Sequence, residues 1–198
     1  MSERLTPELL IRAYCSGVFP MADHRDGRIG WYRPDPRAII PLDAFHVPRS
    51  LRRTIRHGVF ETTVNVDFPA VIAACAAREE TWISDEVIAA YTALHRLGFA
   101  HSVESWREGR LAGGLYGVAL GAAFFGESMF SRETDASKVA LAALIERLRD
   151  RGYTLLDTQF MTSHLARFGA IEIPRRAYER WLAAALTIDC TFDSPRRG

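Results

Sequence analysis

Lysine is almost missing from this chain of 198 residues: of its 25 basic residues, Lys138 alone is not arginine. A GC-rich coding bias is the simplest account, so the abundance of arginine by itself says nothing about nucleic acid. Cysteine is sparse as well. Cys15, Cys75 and Cys190 are odd in number, far apart and without CxxC spacing, which fits a reducing cytosol and argues against a disulfide framework. The six histidines are dispersed and no HExxH occurs, so no protein-built metal site is expected. GxSxG and P-loop patterns are absent too. The glycines of GGLYGVALG follow the turn REGR and enter a strand, without the strand-to-helix context of a phosphate loop. No apolar run nears membrane-spanning length, and the opening MSERLTPELL carries acids where a signal peptide needs an apolar core. A cytoplasmic protein with no membrane partner is expected. The net charge of +1 speaks against global affinity for nucleic acid, yet residues 1 to 60 hold ten arginines against six acids, which leaves room for a local basic face.

What is present is a well-patterned globular chain. Hydrophobic residues make up 48% of it, enough for the core of one large domain or of a domain with a small companion. Thr6 and Pro7 stand in cap and first-turn positions for a short helix ending at Gly17. The segment MADHRDGRIGWYRPDPRAIIPLD predicts a hairpin with a turn at Asp26-Gly27 and strands over Ile29 to Arg33 and Ala38 to Leu42, and its prolines confine both to edges or strand ends. Arg49 to His57 predicts a short helix displaying Arg49, Arg52, Arg53 and Arg56, either a solvated face or a phosphate-binding one. Composition and the stop at Gly58 suggest a boundary there, after which strand, Asp67 cap and helix restart the chain. Ser84 caps a helix over Asp85 to Leu97, AHSVESW alternates as a strand, and Arg175 to Leu186 closes the fold as an amphipathic helix with Tyr178, Trp181, Leu182 and Leu186 inward.

The most informative stretch is Leu111 to Gln159. Two apolar strands turn near Ala119 to Gly121, and the second ends at Gly126 and Glu127, a carboxylate either solvated at a rim or aimed into a cleft. The loop SRETDAS follows, then a helix over Lys138 to Arg151 capped by Ser137, stopped by Gly152, with a wide apolar face including Leu141 and Leu144. In the next strand Asp157 and Gln159, two apart, are expected on one face. Strand, strand, loop, helix, strand is the order at the heart of GNAT-type acyltransferases, where a glycine-rich loop binds the pyrophosphate of acetyl-CoA at a helix N-terminus. Here that loop has no glycine and two acids, Glu133 and Asp135, which would repel a diphosphate.

The runs YCSGVFPM, WYRPDPRAIIP, TWIS, AHSVESW, GGLYGVALGAAFFGESMFSR, DASKVAL and LLDTQF, in this order, resemble the leucyl/phenylalanyl-tRNA-protein transferase family over about residues 9 to 186. That resemblance implies an α+β fold, with a small N-terminal α/β domain over residues 1–58 and a GNAT-like acyltransferase domain over residues 59–198 built on a mostly antiparallel central sheet. It implies transfer of Leu or Phe, with Met a further option, from Leu-tRNA or Phe-tRNA to proteins with N-terminal Arg or Lys, marking them for N-end-rule degradation, by a monomer without metal or organic cofactor. The alternatives are an acetyl-CoA-dependent N-acetyltransferase and a non-catalytic RNA-binding module.

By the same resemblance Asp157 and Gln159 match an Asp-x-Gln pair, with Gln159 positioning the amine or donating to the developing oxyanion and Asp157 polarising that array or taking the proton through water, and Glu127 matches a carboxylate that meets the cationic acceptor. Read from the residues alone, all three are equally compatible with structural roles at strand ends. Leu115, Phe124, Met129, Leu144 and Leu156 match the apolar pocket for the Leu or Phe side chain, though periodicity alone would assign all five to the core. Trp31 and Trp82 match aromatics near the aminoacyl-adenosine, where an indole can stack on the terminal base, against a buried structural role. Tyr32 departs from a second Trp often found there. Read from the residues and not from the resemblance, Arg49, Arg52, Arg53 and Arg56 offer a surface for acceptor-stem phosphates, with a solvated surface helix the alternative.

Overall fold

Residues 5–23, 26–78 and 81–193 are described in a computed structural model. Helix α1 (Pro7–Cys15) starts where its cap predicts, with Thr6 Oγ1 accepting the Leu9 amide at 3.3 Å, and buries Leu10 and Tyr14 one turn apart. Strands β1 (Phe19–Ala22) and β2 (Ile29–Tyr32) pair with each other as a separate hairpin, so the residue 29–32 strand partners the segment before it and not the one after. Then come β3 (Arg37–Ile39), a 3-10 turn (Leu42–Ala44), α2 (Arg49–Arg56), β4 (Glu61–Val64), α3 (Phe68–Ala76), α4 (Asp85–Arg96), β5 (Ala100–Arg107), β6 (Arg110–Leu120) and β7 (Ala123–Ser131). Helix α5 (Ala136–Arg151), β8 (Leu155–Gln159), α6 (Ser163–Ala166), β9 (Ile171–Ile173) and α7 (Arg175–Leu186) complete the order. Asp67 and Ser84 cap α3 and α4 through the Ala70 and Val87 amides, as their positions predict.

Seven strands form one sheet in the order β4-β5-β6-β7-β8-β3-β9, antiparallel at every join except β7 with β8. A parallel join needs a crossover, and α5 supplies it. One face carries α1, α3, α4 and α7 over a core that includes Tyr14, Phe68, Tyr91, Tyr116, Phe125 and Leu182. The other carries α2 and α5 over Leu51, Leu115, Phe124, Leu144, Leu148 and Leu156.

Strand β3 is interior, between β8 and β9, and not at an edge. Pro36 and Pro41 flank the strand without entering it, so its own amides stay free for the ladder. Because β3 lies in the main sheet, the boundary expected at residue 58 does not coincide with the limit of that sheet. The cap of α5 also differs: Asp135, in the left-handed region at φ 70°, precedes the helix and Ser137 lies within its first turn. Trp181 faces outward, 46% exposed, while Tyr178, Leu182 and Ala185 carry the buried stripe of α7.

Strand β7 does not end at Glu127. It continues to Ser131 through a bulge, because Tyr116 pairs with Ser128 while Gly117 pairs with Gly126, leaving Glu127 as the additional residue. One extra residue reverses which side of the strand the following side chains take. Phe125 faces the α3/α4 core, and beyond the bulge Phe130 faces that same core while Met129 crosses to the α5 side. Gly117 permits the close approach: a Cβ there would lie 2.3 Å from the Phe125 carbonyl oxygen. Gly117→Ala is expected to cost about 2 to 3 kcal/mol, measured as a lower denaturation midpoint, because the Phe125 carbonyl oxygen and the fully buried Phe124 ring both occupy the space.

Candidate active site in the cleft between β7 and β8

The parallel ladder between β7 and β8 holds only Ala123 with Leu155, Phe124 with Leu156, and Phe125 with Asp157. Beyond it β7 enters its bulge and β8 turns to β3, pairing Gln159 with Ala38. A cavity of about 290 Å³ opens where pairing stops. That is the small end of the range for ligand pockets, suited to a group the size of one amino acid. Leu115, Met129, Leu141, Leu144 and Leu156 give it an apolar side, Met21, Trp82 and Phe160 a second, and Glu127 and Gln159 a polar end. Tyr116 and Thr158 border it too, and their buried hydroxyls have no hydrogen-bond partner among the described residues.

Glu127 is 9% exposed and crowded by donors. Its Oε1 accepts from Tyr14 Oη at 2.7 Å and from Gln159 Nε2 at 2.8 Å, and its Oε2 accepts from Tyr91 Oη at 3.3 Å. The two tyrosine hydroxyls also bond each other. Burial is the main influence on Glu127, and it pushes the carboxyl up to about 7, with the charge of Asp157 acting the same way against the lowering effect of the three hydrogen bonds. Burial, then the Glu127 charge, holds Tyr14 and Tyr91 well above the ordinary phenol range, so both remain donors at neutral pH.

Asp157 is not in the cavity. Leu156 and Thr158 point there, while Asp157, fully buried, turns to the opposite face beneath α7. Arg37, 1% exposed, meets it with a fork: Nε to Oδ1 at 2.9 Å and Nη2 to Oδ2 at 2.6 Å. Tyr178 Oη donates to Oδ2 at 2.7 Å and the Gln159 amide to Oδ1 at 2.8 Å, so the carboxylate accepts four hydrogen bonds and has little capacity for a fifth. Gln159 ends β8 at φ 65° with its side chain bonded to Glu127, so Asp157 and Gln159 both meet partners that come from the α1, α4 and α7 side, Tyr178 for the first and, through Glu127, Tyr14 and Tyr91 for the second.

Other expected positions divide. Leu115, Met129, Leu144 and Leu156 line the cavity; Phe124 lies outside its lining, fully buried with its ring 5.3 Å from Phe192. Trp82 lines the cavity, whereas Trp31, on the β1–β2 hairpin, is 42% exposed and outside it. Arg49, Arg52, Arg53 and Arg56 are all exposed on α2, and none has a carboxylate partner among the described residues. The acids of the loop before α5 do not confront an incoming anion: Glu133 is paired with Arg107 at 2.8 Å and Asp135 with Lys138 at 2.7 Å. Sequence reasoning missed Arg37, Tyr14, Tyr91 and Tyr178. Helical spacing marks Tyr14 and Tyr178 only as inward-facing, and nothing in DPRAII distinguishes Arg37 from a solvated arginine.

A family model described as leucyl/phenylalanyl-tRNA protein transferase matches residues 39–183, and one for the N-terminal domain of that family matches residues 3–35. The junction falls at β3, where the chain enters the main sheet. The leucyl/phenylalanyl-tRNA–protein transferase of Rubrobacter xylanophilus is 62% identical over 190 residues, 96% of this chain and 99% of that protein. Its counterpart in Salinibacter ruber is 57% identical over 188 residues, 95% of this chain and 83% of that one. Among solved structures, L-PGS from Bacillus licheniformis is similar over 80% of this chain and 55% of that chain, with 15% identity and a TM-score of 0.43. A GCN5-related N-acetyltransferase-like protein from Streptococcus suis is similar over 84% and 63% respectively, with 18% identity and a TM-score of 0.42. With a family model spanning most of its length and relatives identical at more than half of the aligned positions, the chain belongs to the leucyl/phenylalanyl-tRNA protein transferase family.

Proposed function

We propose that the cleft holds leucine or phenylalanine, or methionine, while it is still esterified to tRNA, and passes it to the α-amine of a protein beginning with Arg or Lys. The product would be read as an N-end-rule degradation signal, and the enzyme would act in the cytoplasm as a monomer. One observation carries the reading: a cavity of amino-acid size, lined mainly by apolar side chains, also contains Glu127 and Gln159, a carboxylate and a carboxamide bonded to each other. Family membership supports an aminoacyltransferase over an N-acetyltransferase or a non-catalytic RNA-binding module.

The donor ester is already activated, so the reaction needs alignment and one proton acceptor. An acceptor α-amine has an ordinary pKa of about 8, so a fraction is neutral at physiological pH. Gln159 spends its Nε2 on Glu127, which leaves its carbonyl oxygen to receive an N–H of the amine and aim the lone pair at the ester carbon. An amide is too weak a base to keep the proton. Glu127, with its proton affinity raised to about 7, takes it as the C–N bond forms and returns it to the ribose oxygen as the C–O bond breaks. Asp157 is a positioning residue in this scheme. Trp82, and Trp31 beyond the cavity, are candidate planes for the terminal base, and the α2 arginines for acceptor-stem phosphates, which carry no base sequence.

Labelled Leu-tRNA mixed with the protein and a peptide beginning with Arg should pass label to the peptide, and ribonuclease should abolish the transfer. Label arriving from acetyl-CoA instead, or RNA retained without transfer, would overturn the reading. Met129→Ala, which deepens the pocket beside Leu115, should shift the Leu/Phe donor ratio toward Phe by about threefold to tenfold, roughly the discrimination one or two methylenes provide. An unchanged ratio in a folded variant would return Met129 to the core.

A further inference from the structure

A second and larger cavity, about 540 Å³, adjoins the first. Arg78, after α3, and Arg132, after β7, border it together with Ser131, Ser137 and His164, and it shares Arg78, Met129 and His164 with the amino-acid cavity, so the two are continuous. No carboxylate among the described residues lines it. Arg78 is held by the Met129 carbonyl oxygen, and Arg132 by the Leu111 carbonyl oxygen at 3.1 Å and the Phe130 ring at 5.4 Å. Neither has an acidic partner among the described residues. His164 Nε2 is enclosed by protein without a hydrogen-bond partner, a costly state for a polar atom unless a ligand completes it. The backbone offers less: the Ser137 amide is already taken by Ser131 Oγ at 3.3 Å. Whatever anion enters is therefore held chiefly by side chains.

We propose that this pocket binds the phosphodiester immediately upstream of the aminoacylated nucleotide, at the single-stranded 3′ end of the donor RNA. The inference rests on reading the smaller cavity as the aminoacyl site. The shared lining places an anion site beside the aminoacyl cavity, and the phosphodiester next to the esterified nucleotide is the nearest anion the donor carries. The basic track also continues outward: Thr54 of α2 lies 3.5 Å from Asp135 at the start of α5, so the arginine-bearing helix flanks this end of the molecule. Two arginines on a phosphate would hold every isoacceptor equally, because phosphate recognition ignores base identity.

The test compares three leucyl donors: leucyl-adenosine, which has no phosphate, the leucyl-cytidylyl-adenosine dinucleotide, which has one phosphodiester, and intact Leu-tRNA. In the unaltered enzyme the dinucleotide should show a KM about tenfold or more below that of the nucleoside, the gain of one charge-assisted hydrogen bond. Arg132→Ala, outside the amino-acid cavity, should erase that gain and leave KM and kcat for leucyl-adenosine within about twofold, with lysine at the same position restoring part of it. The slope of log KM against log salt for the dinucleotide should flatten by about 0.7 when its phosphate is no longer neutralised, the value for one charge on a single strand. A dinucleotide no better than the nucleoside in the unaltered enzyme would overturn the inference without any variant. So would variants that impair both donors equally, or acetyl-CoA competing for this pocket in an Arg132-dependent manner. Absence of transfer from all three donors would overturn the aminoacyl reading itself, and the inference with it.

Discussion

Glu127→Gln should lower aminoacyl transfer about 100- to 10,000-fold, the span expected when a positioned acid or base is removed, and should make the protein more stable at the same time. The sign follows from the shift. Burial raises the Glu127 carboxyl from 4.5 to about 7 in the folded protein, so the folded state binds this proton more tightly than the unfolded one. Stability is then highest below 4.5, falls as pH rises towards 7, and stays lower beyond it, by about 3 kcal/mol at most for this one group. Glutamine cannot ionise and escapes that loss. Its carbonyl oxygen can still accept from Tyr14 and Tyr91, while Gln159 must turn its amide to present oxygen to the new nitrogen. Denaturation at pH 5 and pH 8 should therefore show little difference between variant and unaltered protein at the first and a more stable variant at the second. The rate profile supplies the companion measurement: transfer by the unaltered enzyme should rise with pH through about 7 as Glu127 ionises, and again through about 8 with the acceptor amine, whereas the variant keeps only the upper limb. A variant with undiminished transfer would remove Glu127 as the proton acceptor, whatever its stability.

The parts of this site that local chemistry determines are legible in the sequence. Thr6, Asp67 and Ser84 announce their helices because each presents an oxygen to an orphan amide, and Gly152 stops α5 in the left-handed region it favours. The apolar floor is legible in part, since Leu115, Leu144 and Leu156 follow strand and helix periods that place them against α5. What is not legible is set by long-range geometry. Strand parity puts Asp157 and Gln159 side by side but cannot show that Gln159 takes a left-handed φ with its amide bonded to a side chain two positions back. Parity does fail at Glu127, where the bulge depends on Gly117 of the neighbouring strand. Arg37 is 120 residues from the carboxylate it grips, and only the topology that slides β3 between β8 and β9 brings them together. Glu133 and Asp135 mislead for a related reason: counted in sequence they are an anionic loop, but in space each is spent on a cation.

The Arg37–Asp157 pair should separate stability from activity most sharply. Arg37→Ala alone leaves a buried carboxylate without its counter-ion and should cost about 3 to 5 kcal/mol, enough to unfold a marginal domain. Replacing both partners, as Arg37→Met with Asp157→Leu, removes the two charges together, and desolvation is no longer opposed by an incomplete set of hydrogen bonds. The double variant should therefore fold with stability near that of the unaltered protein or above it. It should nonetheless transfer about 100-fold less or worse, because Asp157 Oδ1 holds the Gln159 amide in a conformation that a non-glycine residue otherwise leaves at a gain of about 1 to 3 kcal/mol. Released, β8 extends and Gln159 swings from Glu127, so the amine loses its guide. Gln159→Ala should reproduce the kinetic loss with little change in denaturation midpoint, and charged-tRNA affinity should survive in both, since neither removes a group from the basic surfaces. A double variant that folds and transfers at the original rate would reduce Asp157 to a fold anchor and leave Gln159 correctly aimed by its hydrogen bond to Glu127 alone.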